Sequence, residues 1–291
     1  MTVDTVIAGV KVGDAHPVRI MGVINLSHES FYRESVIGHD RVVSRAKQMI
    51  AQGAKFLDIG ARSTWPLADK ITKEEEQKRL VPALELLLDN TDVPISVDTQ
   101  FADLAQEALI MGAHIINDVS GLTNDAHMID VVCENRCPVV VMASYEVPGD
   151  PLGIDAVLDS LEKIIQKAEG RGIASDQIII DPAIGRWIPQ KVAQYDLEII
   201  EQMGQLTVFN KPILAAISRK SFIGELLNKP PVDRLIGSIA ATTIAVYNGV
   251  HIIRTHDVAD TVDAVKIAES IKNCQSHPPF RKGSSNYDKK N

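Results

Sequence analysis

Aromatic residues are scarce in this chain of 291 residues, at 4 %. The core must therefore come from Ile, Val, Leu and Ala, which suits helices packed on a sheet. Cysteine is nearly absent too. Cys133, Cys137 and Cys274 cannot build a disulfide framework, and Cys133 and Cys137 lie four apart with no second pair and no nearby histidine set, so zinc is not expected. They read as reduced thiols in a cytoplasm. No apolar run reaches the roughly 18 residues that a membrane span requires. The opening residues, MTVDTVIAG, have no basic region ahead of an apolar core, so no signal peptide is expected and the chain reads as cytoplasmic. Positive charge is also short, with 30 Lys and Arg against 38 Asp and Glu. The net charge of −8 lacks the basic patch of a nucleic-acid binder.

What the chain does have is one design, repeated. The β-branched run Ile178-Ile179-Ile180 reads as a buried strand that ends on Asp181, with Pro182 starting a loop. Strands of this kind are expected at 18–24, 55–59, 94–97, 113–116, 138–142, 177–180, 212–217 and 250–253. Helical spacing fills the intervals at 40–52, from Thr72 to about Leu88, and at 101–110, 125–135, 154–170, 193–204, 221–227, 232–247 and 259–272. Thr72-Lys73-Glu74-Glu75 fits a capping box, and the run Lys73 to Arg79 reads as an exposed helix face. A leading hairpin within 1–17 is expected to turn near Gly13-Asp14. Parallel strands need crossovers, and eight strand–helix units predict a TIM-type (β/α)₈ barrel over residues 1–274 as a single domain. An open doubly wound sheet would call for a Gly-rich loop after its first strand, and none is there. The polar tail 275–291 is expected to be disordered.

In such a barrel the functional residues sit at the carboxyl ends of the strands. Those ends read Asn25, Asp58, Asp98, Asn117, Asp181, Ser218-Arg219-Lys220, Arg254 and His256. Carboxylates, an amide and an ammonium together can hydrogen-bond the edge of a flat, nitrogen-rich heterocycle. Arg254, His256 and Asn25 suit an anion such as a diphosphate, with Asn25 reaching it through Mg²⁺. Each has a plainer reading: Asp58 as a structural acid, Arg254 and His256 as a rim ion pair, Lys220 as a solvated cation and Met142 as a core residue.

These residues carry a family resemblance. IMGVINLSHESF, GARSTWPLA, ISVDT, AHIINDVSGL, IIIDPAIG, ISRKSFIG and IIRTHDV resemble, in order and spacing, the motifs of dihydropteroate synthases, within the pterin-binding superfamily. The resemblance covers about residues 18–272. It implies condensation of 6-hydroxymethyl-7,8-dihydropterin diphosphate with p-aminobenzoate, releasing diphosphate, in folate biosynthesis. It implies that Asp98, Asn117, Asp181 and Lys220 hold the pterin, with Asp98, Asp181 and Lys220 closest to the chemistry. Asn25, Arg254 and His256 would take the diphosphate with Mg²⁺, and Ser63, Thr64, Ser218, Met142 and the residue at 186 would line the substrate sites. A homodimer built on outer helices is also implied.

The departures from the family pattern cluster. Loop one reads Ser27-His28-Glu29-Ser30-Phe31, loop two lacks the arginine after Thr64, and Arg186 stands where the family has a phenylalanine beside p-aminobenzoate. The pterin half is kept and the arylamine half is changed. Arg186, Arg62 and His28 could seat an added anion, so the second substrate is either p-aminobenzoate or 4-(ribofuranosyl)aminobenzene 5′-phosphate, the latter as in tetrahydromethanopterin biosynthesis. A methyl-pterin-dependent methyltransferase and a non-catalytic pterin-binding protein are the other classes.

Overall fold

The computed structural model describes residues 2–27, 38–62 and 71–274. Ten strands and nine α-helices occur among them. β1 (Asp4–Ile7) and β2 (Val10–Gly13) form an antiparallel hairpin. The barrel strands follow as β3 (Arg19–Asn25), β4 (Phe56–Gly60), β5 (Ile95–Asp98), β6 (Ile115–Asp118), β7 (Val139–Met142), β8 (Ile178–Asp181), β9 (Leu214–Ala215) and β10 (Ile252–Thr255). They pair in parallel in the order β8-β7-β6-β5-β4-β3-β10-β9. A parallel bridge from Ile180 to Ile213 closes the ring, and there Ile180 N–H donates to the Pro212 carbonyl at 2.9 Å. The eight strands therefore make a closed (β/α)₈ barrel.

The crossovers are α1 (His39–Ala51), α2 (Lys73–Asn90), α3 (Ala102–Met111), α4 (Met128–Asn135), α5 (Gly153–Gly170), α6 (Ala193–Glu201), α7 (Ser221–Leu227), α8 (Leu235–Tyr247) and α9 (Val258–Cys274). Thr72 caps α2 by accepting the Glu75 amide, as the capping box predicts. α4 starts three residues later than its spacing suggests, because Asp125 turns aside to accept the Ala102 amide. None of these helices is long and apolar enough to cross a membrane.

Two further features differ from expectation. The seventh barrel strand keeps only Leu214–Ala215 of the expected 212–217, since Pro212 has no amide to donate and the chain turns away where Lys220 N–H bonds Ile217 O. The hairpin turns at Ala8-Gly9, both with positive φ (45° and 85°), as a two-residue turn of this twist requires, and not at Gly13-Asp14. Asp14 instead accepts the Val3 amide at 2.8 Å.

The side-chain alternation of each strand divides the core. Ile24, Val97, Ile116, Val139, Val141 and Ile180 face the helices in the larger cluster. Met21, Phe56, Ile115, Val140, Ile179, Leu214 and Ile252 fill the barrel itself, where Ile7 and Val12 of the hairpin pack against them. The hairpin stoppers the amino end of the barrel, and among the described residues the polar mouth is at the carboxyl end.

His251 fastens that stopper. Its Nδ1 accepts the Ile213 amide at 3.0 Å and its Nε2 faces Asp14 Oδ1 at 3.2 Å. Burial holds the ring below its ordinary value of 6.5, with Asp14 opposing in part. A depressed histidine contributes stability that is complete above its unfolded value and is lost as pH falls. Thermal melting should therefore weaken progressively below about pH 6.5. In His251→Gln the His251 share of that decline should be missing, and an identical decline in both proteins would refute the assignment.

Candidate active site

Alternation also sets which strand-end residues face inward. Counting up from the interior residues Met21, Phe56, Val140, Ile179, Leu214 and Ile252, the inward series continues to Asn25, Asp58, Met142, Asp181, Ser218, Arg254 and His256. Asn117 continues in the same way from Ile115, and the register pairs it with Asp98. The strand ends named from the sequence therefore converge on one mouth.

At its centre Arg254 bridges two carboxylates. Its Nε donates to Asp58 Oδ2 at 2.6 Å and its Nη2 to Asp98 Oδ2 at 3.0 Å. Asn117 Nδ2 approaches both Asp58 oxygens at 3.4 and 3.3 Å. Asp58, 0 % exposed, is thus the buried acid that orients its neighbours. Burial pushes the Asp98 carboxyl up to about 7; Arg254 opposes this and Asp58 adds to it. Gly60 lies beside Asp98, where a Cβ would come within 3.2 Å of the aspartate Cβ, so the small residue leaves the acid its place.

The opposite wall is built from the loops after β7 and β8 and the turn before α7. Asp181 Oδ1 accepts the amide of Ala183, which is left-handed at φ 62°. Burial raises the Asp181 carboxyl, and that amide and Lys220 counter it. Lys220 runs across Gly185, where a Cβ would lie 2.9 Å from its Cδ. Its ammonium stands 4.9 Å from the Trp187 ring centroid, a cation–π distance. The other neighbour of Trp187 is Gly149, whose missing side chain makes room for the indole.

His256 Nδ1 meets Ser218 Oγ at 3.0 Å. Burial first, then the Arg254 charge, pull its pKa down to about 3, so at neutral pH it is a neutral ring and not the cation its place in the motif suggested. Arg219 does not enter the mouth. It makes a two-pronged pair with Asp257 at 2.8 and 2.9 Å and binds the carbonyls of Pro231 and Val232. Asn25 Oδ1 accepts from both the amide and the hydroxyl of Ser27, at 3.0 and 2.6 Å. Met142 is buried within the core cluster.

Several expectations need correction. Arg254 bridges Asp58 and Asp98 within the mouth and does not pair with His256 at its rim. Arg186 is exposed and turns outward, donating to the Pro189 carbonyl at 3.0 Å, while Trp187 is the residue that reaches Lys220. Arg62 pairs with Glu76 at 2.6 Å and lies over Phe101. Glu76 is no exposed helix residue: it is fully buried, and its second oxygen accepts from Thr99 Oγ1 at 2.8 Å. Ser63, Thr64, His28 and Glu29 lie outside the described residues. Sequence reasoning missed Glu76 and Lys191. The signal for Glu76 was an acid at a helix position facing the sheet; Lys191 carried none.

The sequence and fold were then compared with known proteins. A family model described as pterin binding enzyme matches residues 21–256. The dihydropteroate synthase of Escherichia coli strain K12 is 33 % identical over 285 residues, spanning 94 % of this chain and 98 % of that one. The chain belongs to the pterin-binding enzymes. Among solved members of that family, the Xanthomonas albilineans dihydropteroate synthase with 4-aminobenzoic acid has a TM-score of 0.82 at 33 % identity, covering 96 % of this chain and 100 % of that one. The Coxiella burnetii dihydropteroate synthase in complex with pteroic acid also scores 0.82, at 31 % identity, covering 94 % and 99 %. Within the pterin-binding enzymes the protein is a transferase of the dihydropteroate synthase type.

Removing Arg254 leaves two buried carboxylates facing each other without a cation. Arg254→Met should cost about 3–5 kcal/mol in urea unfolding near neutral pH. The cost should shrink at about pH 5, because unpaired buried acids take up protons. A loss independent of pH would show that the ion pairs are not its source.

Proposed function

We propose that the protein joins 6-hydroxymethyl-7,8-dihydropterin diphosphate to p-aminobenzoate in folate synthesis. The observation that carries this reading is the convergence of Asp98, Asn117, Asp181 and Lys220 on one buried mouth, in a chain related end to end to dihydropteroate synthases. Asp98 and Asp181 accept from the ring N–H and amino groups of the pterin, while Asn117 and Lys220 donate to its acceptors. As the methylene–oxygen bond to diphosphate breaks, the same carboxylates favour the positive charge left on carbon. The arylamine nitrogen then bonds that carbon and gives up a proton. Holding both partners in line supplies much of the rate.

Mg²⁺ fits this reaction as the counter-ion that arrives with the diphosphate. Asn25 offers an amide oxygen, but Ser27 already donates to it twice, and among the described residues no three His, Cys, Asp or Glu side chains gather to hold a metal. Phosphate oxygens and water supply the rest of such an ion's shell. Of the chain's own groups, neutral His256 serves as a hydrogen-bond donor to the anion, and Lys220 contributes charge nearby.

The conformations of the two arginines favour plain p-aminobenzoate over a ribosyl phosphate. The Arg62 charge is already met by Glu76, and the exposed Arg186 guanidinium, though not neutralised, is turned to the Pro189 carbonyl. Turnover with dihydropterin diphosphate should be faster with p-aminobenzoate than with 4-(ribofuranosyl)aminobenzene 5′-phosphate, and the reverse order overturns the choice. Pterin binding without turnover would point to a binding protein, and methyl transfer from a methyl-pterin to the other enzyme class. In the same assay kcat/KM should fall about tenfold per pH unit below about 7 as Asp98 takes up a proton, and Asp98→Asn should lose that limb with a 10²–10³-fold lower rate.

We also propose a homodimer. α8 carries no charged residue, and its exposed Ile236, Ala240, Ile244 and Tyr247 form one stripe beside Ile267 and Ile271 of α9, against which α8 packs. Uncovered apolar surface of this extent suits a second copy. Sedimentation should give a dimer that Ile244→Glu converts to monomer; a monomeric native protein would refute this.

A further inference from the structure

Lys191 is 1 % exposed and belongs to none of the motifs discussed above. Among the described residues no carboxylate lies within ion-pair distance of it. Its Nζ donates instead to two carbonyls, Ala183 O at 2.7 Å and Gly149 O at 3.4 Å. A buried ammonium is costly, and here its hydrogen bonds go to peptide oxygens while its charge is favoured only from a distance by Asp196, Asp181 and Asp150.

The location of the clamp gives it meaning. Ala183 is the left-handed residue whose amide bonds Asp181 Oδ1. A non-glycine residue in that conformation is strained and persists only when its surroundings hold it. Lys191 grips the carbonyl of the same residue. Gly149 belongs to the loop after β7, so one ammonium also ties two loops of the mouth together. Two residues further on, Gly185 N–H donates to Asp196 Oδ1 at 2.9 Å, which fixes the other side of the turn.

We propose that Lys191 is a positioning residue for the pterin-facing carboxylate: by holding the Ala183 carbonyl it keeps the Ala183 amide on Asp181 and braces the turn against Gly149. The proposal rests on the pterin reading of the site only for its functional consequence; the clamp itself is a property of the free protein. The charged groups around Lys191 are Asp181 on β8, Asp196 on α6, Lys220 before α7 and Asp150 before α5. Burial outweighs the three acids and brings the Lys191 ammonium down to about 8. Unlike an ordinary lysine, the clamp is therefore expected to release within reach of alkaline assays.

The test uses Lys191→Met, which keeps the stem and removes the charge, and Lys191→Arg, which keeps a charge that does not titrate. In the free proteins, native-state hydrogen exchange at the Ala183 amide should be about tenfold or more faster in K191M than in wild type, and close to wild type in K191R. Titration of dihydropterin diphosphate should show about tenfold weaker binding to K191M at neutral pH. Wild-type binding should also weaken above about pH 8, and K191R should move that limb to higher pH. Unchanged exchange and unchanged affinity in K191M would overturn the proposal. If K191M does not fold, an alkaline limb that stays in place in K191R overturns it equally. Faster exchange in K191M with no pterin binding by wild type would sink the pterin reading and leave the clamp standing.

Discussion

One guanidinium shared between two carboxylates governs the polar end of this barrel. Asp58, Asp98 and Arg254 come from three strands, β4, β5 and β10, and meet where water is largely shut out. None of the three could stay charged there alone, since an isolated buried ion costs several kcal/mol. Together they offset much of that cost, though the group still carries one more acid than base. Burial first, and then the neighbouring Asp58, raises the Asp98 carboxyl against the pull of Arg254, and Gly60 beside it is small because the acid occupies the space a side chain would need. Asn117 is drawn toward the same pair of oxygens. In the proposed reaction, a mouth of this composition suits first a partner rich in hydrogen-bond donors.

The other wall is held by different physics. Trp187 lies between Gly149 and Lys220, the latter crosses Gly185, and Lys191 reaches beneath to the Ala183 carbonyl. Contact, cation–π attraction and peptide dipoles do here what ion pairs do across the barrel. Arg62, Glu76 and Thr99 form a third unit, which anchors the start of the second loop to α2 and to the residue after Asp98. The mouth is thus braced from behind on every side that the described residues cover.

Much of this was legible in the chain. Strand ends such as Asp181 and Asn117 could be read because a β-branched run fixes the alternation, and the alternation fixes which terminal side chain points inward. Directions of long side chains could not. Arg62, Arg186 and Arg254 have similar chemistry in the sequence, yet one is sequestered by Glu76, one bends to a carbonyl and one bridges two acids. Glu76 looked solvated because its neighbours in the run are charged, and only the packing of α2 on the barrel shows that it faces in. His256 matched its motif, but its neutrality depends on burial beside Arg254, which no local pattern encodes. The short β9 follows from Pro212 and was readable in principle; the Ala8-Gly9 turn was too.

The stopper at the barrel's amino end sets an order of events on the ribosome. Ile7 and Val12 leave it long before Leu214 and Ile252, on which they pack, and before His251, which fastens Asp14 from 237 positions away. Until then the hairpin has nothing to close, and its apolar face is open to water or to another nascent chain. The interior can seal only after the chain has been made through Ile252. Contacts of such long sequence separation slow folding, so this protein's early life depends on how well that small hairpin is shielded while it waits.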